Sequence, residues 1–230
     1  AGVRELERYI AKLCRKTVLA ILKEKVESVT IDQDKLVEFL GKAPFDHTKK
    51  LPRPQVGVVT GMAYTQFGGD ILPIEVNHFD GTGKFIITGQ LGDVMKESAS
   101  IALDYLKANK EKYGLDDKAF DKQDIHIHVP EGAIKKDGPS AGVTLTTAIY
   151  SAFTNKPVRD DVSMTGEITL RGNVLPIGGL KEKSISAHRS GIRKIIIPKE
   201  NEKDIEDIPE SVRNDLEIVL ADHIDTVLEH

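Results

Sequence analysis

Residues 136–142, KDGPSAG, place a glycine-flanked serine between a strand pattern and a helix pattern. Residues 124–129 alternate apolar and polar side chains as a strand does, and residues 130–139 have the composition of a loop. Residues 143–153 form a small and aliphatic run long enough for a buried helix. Ser140 is therefore predicted in the first turn of that helix, where unpaired backbone N–H groups collect. Such donors can stabilise the oxyanion formed when a serine oxygen attacks a carbonyl, so the position suits a nucleophile.

A short helical segment is predicted to precede the main domain. Residues 1–45 show helical periodicity over residues 3–25 and again from about residue 33. Residues 46–54 are polar and proline-bearing, which is the composition of a linker. The main domain is then predicted over residues 55–230.

Strand and helix patterns alternate within the main domain. A meander of at least three strands is predicted first, over residues 56–64, 71–79 and 84–88. Asp93 is predicted to cap a helix over residues 94–113. Helices and strands continue to alternate after Ser140, with one helix predicted over residues 180–189, so the fold class is predicted to be α/β, of the mixed α+β kind.

Composition and charge exclude several kinds of partner. The 230 residues carry 32 basic and 36 acidic side chains in mixed order, so no basic stripe indicates nucleic-acid binding. The single cysteine excludes a disulfide within the chain. No apolar stretch approaches the length of a membrane span and no leader pattern is present, so we expect a cytoplasmic protein without a membrane partner.

The serine motif allows an esterase hypothesis. Its G-x-S-x-G pattern is that of the α/β-hydrolase nucleophile elbow, and Asp160, Asp161, His188 and His223 supply an acid and a histidine in the required chain order. An elbow serine, however, follows directly after a strand. Here a loop of about ten residues intervenes.

A lysine base is the second hypothesis for the serine. Residues 178–183, GGLKEK, offer Lys181 and Lys183, and helical periodicity alone does not choose between them. A lysine acts as a base near neutral pH only if its pKa falls by about 3 units, a change of about 4 kcal/mol against the charged form. Burial against apolar neighbours can supply that change.

A metal site is not predicted. His126 and His128 lie two apart on a predicted strand and therefore share a face, which is also the spacing of a metal-binding pair. No third ligand accompanies them in the sequence. A polar strand face is the simpler interpretation.

Three blocks of sequence together resemble one known family. Residues 136–142 (KDGPSAG), 164–172 (MTGEITLRG) and 175–183 (LPIGGLKEK), in that order, resemble the proteolytic domain of the bacterial ATP-dependent Lon proteases. Residues 1–8 (AGVRELER) resemble the end of the AAA+ helical subdomain of the same family. The resemblance implies a Lon-type protease domain preceded by a small helical segment, and a chain that is a piece of a longer protein.

The resemblance also implies roles for individual residues. It makes Ser140 the nucleophile and Lys183 its base, and it leaves Lys181 structural. Thr165 is expected to hydrogen-bond the lysine amine and orient it. The backbone N–H groups of Ser140 and Ala141 are expected to hold the oxyanion.

Further residues are expected to support the site. Glu167, Asp137 and His128 match positions that line it in the family, and Asp137 is also a possible gate over the oxyanion donors. Arg4 matches an arginine that senses nucleotide in the full-length protein.

The resemblance implies the activity of the whole protein as well. It implies a serine endopeptidase with a Ser-Lys dyad that degrades unfolded, damaged or regulatory proteins in a hexameric ring, as part of protein quality control. The full-length enzyme would use ATP and Mg²⁺, whereas no cofactor and no ATP hydrolysis are expected of this fragment, which lacks a phosphate-binding loop. A different class of hypothesis is an inactive, gated, ring-forming fragment that needs its ATPase part.

Overall fold

The computed structural model describes residues 3–42, 51–65, 68–116, 119–130 and 135–230. The chain divides into two compact units, residues 1–47 and residues 48–230. The predicted linker and the predicted loop of residues 130–139 both lie partly outside the described residues. No helix in the described ranges is long and apolar enough to cross a membrane.

The first unit contains two helices, as predicted. These are α1 (Arg4–Glu24) and α2 (Gln33–Leu40). The carboxylate of Asp32 accepts a hydrogen bond of 2.8 Å from the Lys35 N–H and so caps α2, and Gly41 ends that helix with φ of 94°.

The second unit alternates strands and helices. Its strands are β1 (Gln55–Val56), β2 (Val58–Thr65), β3 (Gly68–Asp80), β4 (Phe85–Thr88), β5 (Gln123–His128), β6 (Pro157–Val158), β7 (Val162–Met164), β8 (Glu167–Ile168), β9 (Val174–Leu175), β10 (Lys194–Pro198) and β11 (Glu217–Ala221). Its helices are α3 (Asp93–Ala108), α4 (Ala119–Lys122), α5 (Gly142–Thr154), α6 (Leu180–Arg189), α7 (Glu210–Asp215) and α8 (Ile224–Glu229). Residues Pro139–Ala141 and Lys199–Asp207 are 3₁₀ segments.

The central sheet of the described residues is mixed. Its strand order is β11-β10-β7-β2-β3-β5-β4. Strands β11, β10, β7 and β2 are parallel, and β3 runs antiparallel to both of its neighbours. The predicted mixed α/β class is confirmed.

The predicted meander of three strands is wrong in its third member. Strands β2 and β3 form the expected antiparallel pair, but β4 is not beside β3. Strand β5 lies between them and pairs in parallel with β4. A parallel pair needs a crossover, and α3 supplies it.

Helix α3 is shorter than predicted and is capped by a different residue. It ends at Ala108, where the Asn109 side-chain amide donates to the Tyr105 carbonyl and competes with further helical bonds. Gly92 rather than Asp93 is the N-cap residue, and the predicted Asp93 cap is absent.

Apolar side chains cover both faces of the sheet. On β10, Ile196 belongs to one buried cluster, with residues of α3 and α5, whereas Ile195 and Ile197 belong to another, with residues of α6 and α7. Alternation along the strand sends these isoleucines to opposite faces. Helix α5 starts on one face and α6 on the other, which matters for the site below.

A glycine separates β1 from β2. Gly57 has φ of +72°, and a Cβ placed there would lie 2.3 Å from the carbonyl oxygen of Val76. Its own carbonyl accepts a bond of 2.7 Å from the Val76 N–H, and its N–H donates to Ser151 Oγ at 2.9 Å. Only glycine satisfies both the backbone conformation and the close approach.

Gly57→Ala is therefore expected to lower the free energy of unfolding by more than about 1 kcal/mol, because alanine must accommodate both the positive φ and the overlap with Val76. Urea unfolding measures the change. An unchanged midpoint and slope would show that β1 shifts without loss.

Candidate active site

Ser140 lies in the 3₁₀ turn Pro139–Ala141, directly before α5, as the sequence predicted. The first residue of the turn, Pro139, has no N–H, and the Gly142 N–H donates to the Pro139 carbonyl. The N–H groups of Ser140 and Ala141 therefore belong to the first turn, ahead of any helical carbonyl that could accept them. Backbone donors of this kind, next to a serine hydroxyl, have the chemistry that an oxyanion requires.

The loop before Ser140 is held by the segment that leads into α3. The Lys136 N–H donates to the Gln90 carbonyl at 3.1 Å, and the Lys136 carbonyl accepts from the Gly92 N–H at 2.7 Å. These two bonds pair the loop before Ser140 with the start of α3.

Asp137 provides the cap that Asp93 was predicted to provide. Its carboxylate accepts hydrogen bonds from the Met95 N–H at 3.1 Å and the Gly138 N–H at 2.9 Å. These bonds, with Met95 first, hold the pKa of the Asp137 carboxyl below its ordinary value. In this arrangement the carboxylate binds the N-terminus of α3.

Lys183 reaches Ser140 from the other face of the sheet. It lies in the first turn of α6 with its side chain buried, only 3% exposed, whereas Lys181 is exposed. Its Nζ lies 3.1 Å from Ser140 Oγ and 3.1 Å from Thr165 Oγ1. The structure thus distinguishes two lysines that helical periodicity did not.

Thr165 follows β7 and contacts both partners. Its hydroxyl donates to the Ser140 carbonyl at 3.3 Å and lies beside Lys183 Nζ. The same carbonyl accepts a second bond, of 2.8 Å, from the Gly166 N–H. The Thr165 side chain is buried, and so is its contact with the Lys183 amine.

Burial changes the protonation of the lysine. It lowers the pKa of Lys183 from 10.5 to about 8. Among the ion pairs of the described residues, none includes Lys183, so no carboxylate opposes the effect. A buried amine without a counter-ion favours its neutral form, which is the form that accepts a proton.

A cavity of about 600 Å³ opens beside Ser140 and Lys183. Ser140 and Lys183 line it together with the facing ends of β2 and β3 and the loop before α6. Its apolar wall includes Met62, Ile71 and Met95. Its size falls within the range of ligand clefts, so a peptide segment can reach the serine hydroxyl.

Comparison with known proteins identifies the family. Residues 30–230 match the model of the Lon protease (S16) C-terminal proteolytic domain, and residues 1–29 match the model of the Lon protease AAA+ ATPase lid domain. The chain belongs to the Lon protease family.

Several curated Lon proteases are close relatives. The chain is 58% identical over 229 residues to the Lon protease of Mycoplasma mycoides subsp. mycoides and 56% identical over 230 residues to Lon protease 1 of Bacillus subtilis. Each match covers 100% of this chain but only 29% and 30% of those relatives. The chain therefore spans less than a third of their length.

Some of the residues predicted from the Lon resemblance lie away from Ser140 and Lys183. Glu167 lies in β8 and is half-buried, and His128 lies on β5, where its Nδ1 is 2.8 Å from the Thr88 hydroxyl. Neither is among the described residues that line the cavity. Arg4 lies at the start of α1 in the first unit.

The two histidines of β5 share one partner. His126 Nε2 lies 2.9 Å from the Thr88 hydroxyl that His128 also contacts. Within the described ranges, no group of three or more histidine, cysteine or carboxylate side chains could hold a metal ion.

Among the histidines that the structure describes, none hydrogen-bonds Ser140 as the esterase hypothesis requires. His188 Nε2 lies 2.8 Å from Asp215, and His223 Nε2 lies 3.0 Å from the Arg171 carbonyl. Asp161, one of the candidate acids, pairs with Arg159. The partner of Ser140 in this structure is Lys183.

Sequence reasoning missed two parts of the site. One is the bond between Asp137 and the start of α3, and the other is the cavity wall formed by the β2–β3 hairpin. Both depend on contacts between segments about 40 or more residues apart, for which periodicity gives no signal.

Replacing Lys183 by methionine is expected to stabilise the fold. Because the folded pKa of about 8 lies below the unfolded value of 10.5, the unfolded chain binds more protons between these pH values, and parent stability rises with pH across that window. Near pH 7 the buried charge is unfavourable by about 3 kcal/mol. Lys183→Met should therefore raise the free energy of unfolding there by about 2 kcal/mol, since lost hydrogen bonds offset part of the gain.

Urea unfolding near pH 7 and again above pH 10 measures this effect, with Lys181→Met as the exposed control. The gain should shrink at the higher pH. A Lys183→Met protein less stable than the parent near pH 7 would contradict the effect of burial.

Proposed function

We propose that residues 55–230 form a serine endopeptidase domain in which Ser140 is the nucleophile and Lys183 the general base. The observation that carries this proposal is the 3.1 Å separation of Lys183 Nζ and Ser140 Oγ, made by a buried lysine with a lowered pKa. Family membership supports peptide bonds as the bonds cleaved.

The hydrogen bonds around Thr165 suggest how the lysine lone pair is directed. A threonine hydroxyl has one proton, and here it is donated to the Ser140 carbonyl. The Thr165 oxygen can therefore only accept from Lys183, which donates one of its N–H groups. The lone pair of the neutral amine is then free to accept the Ser140 proton.

Catalysis follows from these positions. Neutral Lys183 removes the hydroxyl proton as Ser140 Oγ bonds to the substrate carbonyl carbon, and the N–H groups of Ser140 and Ala141 bind the oxyanion. The tetrahedral intermediate collapses to an acyl-enzyme as protonated Lys183 gives its proton to the leaving amine. Water then attacks the ester with Lys183 again as base, which releases the acid and restores the hydroxyl.

Asp137 supports the nucleophile through the cap it forms on α3. We keep Glu167 and His128 as supporting residues on the strength of the family alone. An inhibitory position of Asp137 over the oxyanion donors would require its carboxylate to leave the Met95 and Gly138 N–H groups.

The whole protein would degrade unfolded, damaged or regulatory proteins. Its ATPase part would use ATP and Mg²⁺, with Arg4 sensing the nucleotide, and the subunits would form a hexameric ring. In this proposal residues 1–45 close the helical subdomain of the ATPase, and residues 46–54 link it to the protease. The match of residues 1–29 to the AAA+ lid model supports a lid segment at the start of this region, whereas residues 30–45 fall within the match to the proteolytic-domain model.

Hydrolysis of a fluorogenic peptide without ATP, from pH 6 to 10, tests the dyad. We expect the rate to rise with an inflection near pH 8, because the base must be neutral. Ser140→Ala and Lys183→Ala should each lower kcat/KM by at least about 1000-fold.

The matched control is Lys181→Ala, which removes an exposed lysine from the same helical turn and should hydrolyse the peptide as the parent does. An active Lys183→Ala would refute the assignment of the base. A parent that is inert at every pH would favour the gated fragment that needs its ATPase part.

Thr165→Val should lower kcat by about 10- to 100-fold with little change in KM, because it removes the acceptor that directs the lysine but no described wall of the cavity. Thr165→Ser keeps the hydroxyl and should retain most of the activity. Steady-state kinetics compares the pair, and equal rates for valine and serine would exclude a role for the hydroxyl.

A further inference from the structure

The first turn of α6 carries Lys183, the proposed base. Helix α6 begins after Gly179, and the Lys183 N–H donates to the Gly179 carbonyl at 3.0 Å. The carbonyl of Glu182 belongs to the peptide bond that carries the Lys183 nitrogen. Any shift of this turn therefore moves the lysine away from Ser140 and Thr165.

One rung of the β2–β3 hairpin contacts both ends of this turn. Tyr64 and Gly69 are directly paired in the ladder. The Tyr64 side chain lies against Gly179, since a Cβ placed there would be 3.0 Å from Tyr64 Cγ. Gly69 lies against the other end, where a Cβ would be 2.1 Å from the carbonyl oxygen of Glu182.

Gly69 is surrounded by atoms that bracket Lys183 in the chain. Its Cβ position is 2.5 Å from the carbonyl carbon of Glu182 and 2.9 Å from Ser186 Oγ. That serine hydroxyl in turn donates to the Lys183 carbonyl at 2.9 Å. The hairpin thus contacts the peptide bond between Glu182 and Lys183. It also contacts Ser186, whose hydroxyl binds the Lys183 carbonyl.

The need for glycine at position 69 comes from contact and not from backbone conformation. Its neighbour Gly68 has φ of +117° with nothing within 4 Å of its Cβ position. Gly69 is not among the glycines with positive φ. Alanine at position 69 would therefore be limited by the backbone of α6.

We propose that Gly69 is a positioning residue for the general base: its missing side chain lets the β2–β3 hairpin abut Glu182 and so holds Lys183 within reach of Ser140 and Thr165. This inference rests on the proposed function for its catalytic consequence. The placement of the lysine it describes stands on the contacts themselves.

Substitution of Gly69 by alanine should act on catalysis and not on substrate binding. The added methyl group overlaps a backbone carbonyl, so the hairpin and the first turn of α6 must separate. A displacement near 1 Å should lower kcat by about 10- to 100-fold. KM should change less than kcat, because Gly69 itself is not among the described residues lining the cavity.

The pH profile provides a readout that general destabilisation would not change. Displacement of α6 admits water to Lys183, which raises its pKa from about 8 toward the ordinary 10.5. The inflection of kcat should therefore move to higher pH. Gly57→Ala is the matched control. Its added Cβ would lie 2.3 Å from the carbonyl oxygen of Val76, a similar overlap, but its neighbours are Val76 and Ala152 and not α6.

The positioning role is tested by steady-state kinetics from pH 6 to 10 and by thermal unfolding. Both are measured for the parent, Gly69→Ala and Gly57→Ala. Loss of kcat and a shifted inflection in Gly69→Ala alone would support the positioning role. A Gly69→Ala protein with the parent's kcat and inflection would overturn it. So would activity losses in both variants that follow stability with no shift of the inflection.

Titration of the lysine itself separates this inference from the proposed function. NMR of ¹³Cε-labelled lysine, with Lys183→Met to assign the signal, should give a midpoint near 8 in the parent and a higher one in Gly69→Ala. Equal midpoints would overturn the inference whatever the activity. An active Lys183→Ala would refute the base but leave this comparison intact.

A second variant keeps the inference testable if Gly69→Ala does not fold. Tyr64→Ala removes an exposed ring that lies on Gly179, so the core is not opened. Its Lys183 midpoint should also rise. A midpoint equal to the parent's would overturn the role of the hairpin.

Discussion

The site depends on a lysine amine buried without a carboxylate. Lys183 is held by a serine and a threonine hydroxyl, neither of which compensates a positive charge as an anion would. Burial of this lysine destabilises the folded protein as the pH falls below about 10.5, and fully below about pH 8. The same burial produces the neutral amine that a base requires. Stability and the proposed activity therefore oppose each other at this one side chain.

The sheet explains how such a lysine can meet the serine. Helices α5 and α6 pack on opposite faces, and each begins near the end of the sheet where β2 and β7 finish and β3 starts. Ligands of α/β sheets commonly bind outside the carboxyl ends of the strands. At this edge Ser140, in the turn before α5, and Lys183, in the first turn of α6, lie within hydrogen-bond distance of each other.

Local patterns predicted the elements well and their partners poorly. Leu180–Arg189 was predicted with the bounds observed, because a glycine pair precedes it and its apolar positions recur with helical spacing. The same periodicity left Lys181 and Lys183 undecided, since which side of a helix is covered depends on what packs on it. The family resemblance favoured Lys183, and the 3.1 Å contact agrees with that hypothesis. Strand β5 was predicted as a strand, but its insertion between β3 and β4 depends on a long-range pairing that no local residue specifies.

Ser140 and Lys183 are fixed by different kinds of interaction, and Thr165 joins them. The loop before Ser140 is held by polar bonds to the start of α3, through Lys136 and Asp137. The lysine is held by backbone contact with the β2–β3 hairpin, through Gly69. Thr165, at the end of the strand between the two faces, binds the Ser140 carbonyl on one side and the Lys183 amine on the other. A displacement of Ser140 or of Lys183 therefore strains a bond to this buried hydroxyl. The distance between the serine and the lysine thus depends on the strand that carries Thr165 and not on either helix alone.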